Sequence, residues 1–82
     1  MNTATYTTPI SAGNGTAYRV ILEPAEDGDG IWIAEIRALG IVTEGRGLSG
    51  AERAAANAVR GYRATAQRHA IALPAGDLQD HQ

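Results

Sequence analysis

Ile41-Val-Thr-Glu-Gly45-Arg-Gly-Leu-Ser-Gly50-Ala-Glu-Arg-Ala-Ala55-Ala-Asn-Ala-Val-Arg60-Gly-Tyr62 is the stretch whose reading decides the fold. Gly45-x-Gly47-x-x-Gly50, after a strand and before a helix, matches a dinucleotide-binding fingerprint and would make the chain a βαβ protein. Alternatively, the glycines let the chain swing out of an antiparallel sheet into a helix lying across it. The rest of the chain favours the second reading. The fingerprint needs an acidic residue about 20 positions further on to bind a ribose, and no Asp or Glu lies between Glu52 and Asp77. The strand that should follow the helix has only Ile71 to Leu73 before Pro74. Eighty-two residues leave no room for a second nucleotide-binding half, so no cofactor is expected.

Downstream of the glycines, Leu48, Ala51, Ala55, Ala58, Val59, Tyr62 and Ala66 recur at helical spacing and form one apolar stripe about 100° wide. Arg53, Asn57, Arg60 and Gln67 fall on the opposite, solvent side. Ser49 with Glu52 reads as a capping box, and the helix should fade near His69. Upstream, Tyr18–Glu23, Ile31–Arg37 and Ile41–Glu44 alternate or are rich in β-branched residues, as strands are. Pro24 to Gly30 and Arg37 to Gly40 are turns by composition. Connections this short predict an antiparallel meander. The fold class is therefore α+β: a three- to four-stranded, mainly antiparallel sheet with one long helix on one face, in the order β-β-β-α-β if Ile71–Leu73 adds a strand. Residues 1–16 read as a flexible arm or an edge strand over Thr3–Thr8, with Pro9 limiting its pairing. Residues 17–74 form the single domain, and residues 75–82 are a polar tail.

Composition narrows the functions. Of the apolar residues 16 are Ala, against seven Ile, five Leu and three Val, with no Phe. So thin a core predicts no roomy internal pocket, because such pockets are walled by large apolar side chains. The absence of cysteine excludes a disulfide scaffold, a thiolate metal site and a Cys nucleophile. No run of about 18 apolar residues suggests a membrane span. The uncharged, Thr-rich start does not resemble a signal peptide, so a cytoplasmic location is expected. The net charge of −2 argues against a general nucleic-acid binder.

The candidate chemistry is sparse. Glu26-Asp27-Gly28-Asp29-Gly30 resembles a fragment of a calcium loop but lacks the closing bidentate Glu, so it reads as a solvated hairpin turn and no metal is expected. His69 and His81 have no partner at metal spacing. Glu35, alone inside an apolar strand, is expected to meet a cross-strand Arg such as Arg19. No Ser–His–Asp grouping is readable, and no catalytic residue is assigned. If the helix covers the face of Tyr18, Val20, Leu22, Trp32, Ala34 and Ile36, then Ile21, Ile31 and Ile33 lie uncovered opposite, unless Tyr6 and Ile10 of the arm fold over them. These isoleucines, with Glu35 and the acidic turn Glu26, Asp27 and Asp29, are the candidate partner-binding residues. Arg46, Arg53 and Arg60 are candidate phosphate contacts under the alternative of a small nucleic-acid-binding protein.

Tyr18-Arg-Val-Ile-Leu-Glu-Pro-Ala-Glu-Asp-Gly, then Gly30-Ile-Trp-Ile-Ala-Glu-Ile, Gly40-Ile-Val-Thr-Glu-Gly45, a helix with Ala51 and Asn57, and Leu73-Pro74 together resemble the HicB-like antitoxin domain. The resemblance covers residues 18 to 74, without the C-terminal DNA-binding module many such antitoxins carry. It implies a partial RNase H-like sheet with one main helix, no nuclease carboxylates, a homodimer, and a function by occlusion of a small RNA-cleaving toxin. A phage- or mobile-element-encoded inhibitor of a bacterial defence nuclease, anti-CRISPR-like and on the same fold, is the alternative within that class.

Overall fold

The computed structural model describes residues 5–13, 15–26 and 29–77. Strands β1 (Tyr6–Gly13), β2 (Thr16–Pro24), β3 (Ile31–Ile36) and β4 (Ile41–Arg46) are followed by one helix, α1 (Gly47–Arg68), with a 3-10 turn at Arg37–Leu39 between β3 and β4. The strands lie in the sheet in chain order, all antiparallel. The α+β class holds, but the order is β-β-β-β-α.

The fourth strand comes from the N-terminal segment. β1 pairs with β2 from Tyr6 opposite Leu22 to Gly13 opposite Thr16, with a bulge between Ser11 and Gly13. Pro9 does not limit this pairing. It sits opposite Arg19, whose N–H points away from β1 and donates to Asp77 Oδ1 at 2.7 Å. The pair is thus a non-hydrogen-bonded one, and the proline's missing N–H falls on the free edge.

Ile71–Leu73 is not a strand. Instead the segment after α1 reaches the part of β2 beyond the end of β3. Tyr18 Oη donates to the Pro74 carbonyl at 2.6 Å, Asp77 caps the Arg19 amide, and Gly76 lies so close to Ala17 that a Cβ there would collide with its carbonyl oxygen. These bonds run through side chains, and Pro74 has no N–H, so no ladder forms.

The helix begins two residues before the expected cap. Gly47 has φ +73° and donates its N–H to the Gly30 carbonyl at 2.6 Å, tying the end of β4 to the start of β3. Ser49 is therefore the third helical residue, and the N-cap position, Arg46, makes no side-chain cap. The Ser49–Glu52 capping box is corrected accordingly. Ser49→Ala is expected to change stability by less than about 0.5 kcal/mol, against the roughly 1 kcal/mol of a lost N-cap. Urea denaturation checks it, and a loss of 1 kcal/mol or more would restore the cap.

Ala51, Ala55 and Val59 of α1 pack on Tyr18, Val20 and Leu22 of β2 and Ala34 and Ile36 of β3, with Ala12 of β1 completing the core. The helix alanines let the backbone approach the sheet closely, so few large side chains suffice. Trp32 is half-buried and meets Tyr6, ring centroids 5.6 Å apart. Burial raises the pKa of Tyr18 above the ordinary tyrosine value of 10.0, and the nearby Tyr62 and Asp77 raise it further. The folded state therefore holds the phenol proton more tightly than the unfolded chain. Its contribution is complete below the ordinary value and is lost as pH rises through the folded one. Tyr18→Phe is expected to cost about 1 kcal/mol at neutral pH and to flatten the decline in stability above pH 10, read by denaturation across pH 8–11.

Candidate functional site: the open sheet face

Opposed residues in a sheet share a face, so the register sorts the side chains. Tyr6, Leu22, Ala34 and Thr43 form one row facing the helix. Thr7, Ile21, Glu35 and Val42 form a row on the other face; Glu23, Ile33 and Glu44 form the next, and Ile31 stands opposite Arg46 beyond them. Among the described residues no element packs over this second face. Ile21, Ile31 and Ile33 are half-buried by their in-sheet neighbours, and Val42 is 68% exposed. Tyr6 and Ile10 do not fold over the isoleucines, because they stand opposite Leu22 and Tyr18 on the helix side.

The site is thus an isoleucine centre flanked by carboxylates. Ile33 lies directly between Glu23 and Glu44. Glu35 does not meet Arg19. It stands between Ile21 and Val42 and pairs within its own chain segment with Arg37 at 3.4 Å. Both side chains are exposed, so the pair contributes little stability. A half-open cleft of about 290 Å³, lined by Glu35, Arg37, Gly40 and Val42 among others, indents the end of this face. At the other end the β2–β3 turn carries Glu26 and Asp29, both exposed; Asp27 lies outside the described residues. Asp29 holds φ +47°, the left-handed region Asp tolerates in turns. Among the described residues no cluster of His, Asp and Glu is placed to hold a metal.

The three arginines proposed for phosphate are not brought together. Arg46 shares the open face with Ile31, whereas Arg53 and Arg60 stand exposed on α1, seven residues apart, and Arg60, at the rim of a cleft toward β1, donates from Nη1 to Asn57 Oδ1 at 2.9 Å. Val42 and Glu44 belong to the site and escape sequence reasoning, because Ile41–Glu44 alternates too briefly to show which residues face inward. Counting pairs from Glu35 would have found them. Among the described residues no helix is long and apolar enough to cross a membrane.

Comparison with protein-family models, with curated proteins and with solved structures finds no match.

Proposed function

We propose that this chain is a non-enzymatic protein-binding module, antitoxin-like, that inhibits a toxin-type ribonuclease by covering it. The observation that carries this reading is the open sheet face, an apolar centre of Ile21, Ile31, Ile33 and Val42 set among Glu23, Glu35 and Glu44. A surface of that chemistry matches a partner with apolar residues inside a basic rim, and an enzyme that handles RNA presents basic residues. The resemblance of residues 18 to 74 to HicB-like antitoxins supports the same reading, as does the acidic turn at the end of the face. The location proposed is the cytoplasm.

A homodimer through β4 is part of the proposal. Gly47 N–H bonding to Gly30 continues the β3–β4 register, so Val42, Glu44 and Arg46 direct their backbone groups to the free edge. The opposite edge, β1, carries Pro9 and a bulge, and both devices discourage strand addition. Pairing through β4 leaves the open face available to the partner.

The test uses the ribonuclease captured from the native host. The chain should block its RNA cleavage, and Glu26→Gln with Asp27→Asn and Asp29→Asn should slow association about tenfold and flatten its salt dependence, with little change in dissociation. Cleavage that continues at saturating concentrations would refute occlusion. Unchanged association kinetics would remove the turn from the contact surface.

A further inference from the structure

Charge is distributed unevenly along the chain. From Arg53 to Gly76 there are four arginines, Arg53, Arg60, Arg63 and Arg68, and no carboxylate. Complementing the negative end of the helix dipole explains a basic last turn such as Arg68. It does not explain Arg63, which turns inward. The Arg63 side chain is half-buried, and its guanidinium lies over Gly13, where a Cβ would stand 2.7 Å from Nη1 and 3.0 Å from Cζ. Only a glycine gives it that place, and Gly13 is also held at φ +85° by the β1 bulge. Arg63 Nε is buried, and among the described residues it meets no hydrogen-bond acceptor. Nor does any carboxylate among them come within ion-pair distance of the guanidinium. A half-buried cation without a counter-charge destabilises the fold.

The surroundings offer donors. A half-open cleft of about 160 Å³ lies between α1 and the end of β1, lined by Ser11, Gly13, Arg60 and Arg63 among others. Ser11 Oγ accepts the Gly13 N–H at 3.2 Å, but Ser11 stands opposite Ala17, on the other face from the helix-side pair Ile10–Tyr18, so its hydroxyl is directed away from α1. Arg60 and Arg63, three apart, are neighbours on the helix and repel one another. Two guanidinium groups, with no acid among the lining residues, make a site that an oxyanion would neutralise.

We propose that the Arg60–Arg63 cleft binds a phosphate group, with the two guanidinium groups donating to it from α1. A phosphate carries more than one negative charge near neutral pH to set against two guanidinium groups, whereas a carboxylate carries one. The cleft is separate from the open sheet face and does not depend on what that face binds.

The test is titration of the full chain with inorganic phosphate at constant ionic strength, read by NMR. The Arg60 and Arg63 side-chain Nε–H signals and the Ser11 and Gly13 amides should shift together, with a dissociation constant on the order of a millimolar, and the melting temperature should rise with phosphate but not with chloride. Arg63→Gln and, separately, Arg60→Gln should weaken binding at least tenfold, while Arg53→Gln, on the same helix but outside the cleft, should leave it unchanged. Should Arg63→Gln fail to fold, the wild-type titration and Arg60→Gln decide. Absent shifts, equal shifts with acetate, or equal weakening by Arg53→Gln would each overturn the proposal.

Discussion

Gly45→Ala should be strongly destabilising, by about 3 kcal/mol or more, while Gly50→Ala, five residues on in the same glycine motif, should be stabilising. A Cβ on Gly45 would collide with the Gly50 carbonyl and stand 2.6 Å from the Ala51 amide nitrogen. These are backbone atoms in the first turns of α1, not the end of a flexible side chain. Relief requires lifting the helix off β4, which would pull Ala51 and Ala55 out of the core they share with Ala34 and Ile36. A backbone collision with loss of core contact costs about 3 kcal/mol or more. A chain of this length has roughly 4–12 kcal/mol in total. At Gly50 the nearest atom to a Cβ would be 3.5 Å away, and alanine gains about 0.5–1 kcal/mol of helix propensity. Gly47→Ala falls between them, costing about 1–2 kcal/mol for a left-handed conformation at φ +73° with open space around it. Urea denaturation of the three variants reads the motif one glycine at a time. A Gly45→Ala protein as stable as the wild type would mean that the helix shifts freely on the sheet.

That motif also shows where sequence reasoning reached and where it stopped. The letters match a nucleotide fingerprint, and only distant absences, the acid-free stretch after Glu52 and the short Ile71–Leu73, excluded it. The helix face was legible because its period runs for some twenty residues, and Ala51, Ala55 and Val59 are buried as that period requires. The two faces of β2 and β3 were legible for the same reason, alternation over six or more residues. The helix start was not legible. Ser49 and Glu52 have the letters of a capping box, but the Gly47–Gly30 hydrogen bond, a contact distant in sequence, sets the first turn earlier. The Thr-rich segment of β1 carries little hydrophobic signal, and its strand exists because β2 offers it an edge. Pro9 is harmless there only because the register places it at a non-bonded position, which nothing local specifies. Likewise Asp77 looks like part of a polar tail until the unpaired Arg19 amide gives it a role. The burial of Arg63 has no local signal in the sequence, because its guanidinium lies over the missing side chain at Gly13, fifty residues away.

Ile33→Lys is expected to weaken binding of the captured ribonuclease about 100-fold or more while leaving the fold intact. Ile33 is at the centre of the open face, between Glu23 and Glu44, and no core residue depends on it. In the unbound protein a lysine there has a carboxylate on either side, so cross-strand attraction offsets the lost β-branched packing. An aspartate at the same place would add a third like charge to the row and confuse a folding defect with a binding defect. In the complex the ammonium replaces an apolar anchor at the middle of the contact and faces a basic rim, and the loss expected at a central contact residue is about 2–3 kcal/mol, the 100-fold stated. Circular dichroism and the denaturation midpoint should match the wild type, and light scattering should still report a dimer if pairing runs through β4. Val42→Pro tests self-association instead. It removes an outward N–H from the β4 edge, so it should dissociate the dimer, whereas Val42→Ala, which keeps that N–H and only trims the open face, should leave the dimer intact. Undiminished binding by Ile33→Lys would move the contact off the sheet face, and a dimer that survives Val42→Pro would move self-association off β4. Either result would be read on a folded protein, because neither position contributes a side chain to the helix-facing core.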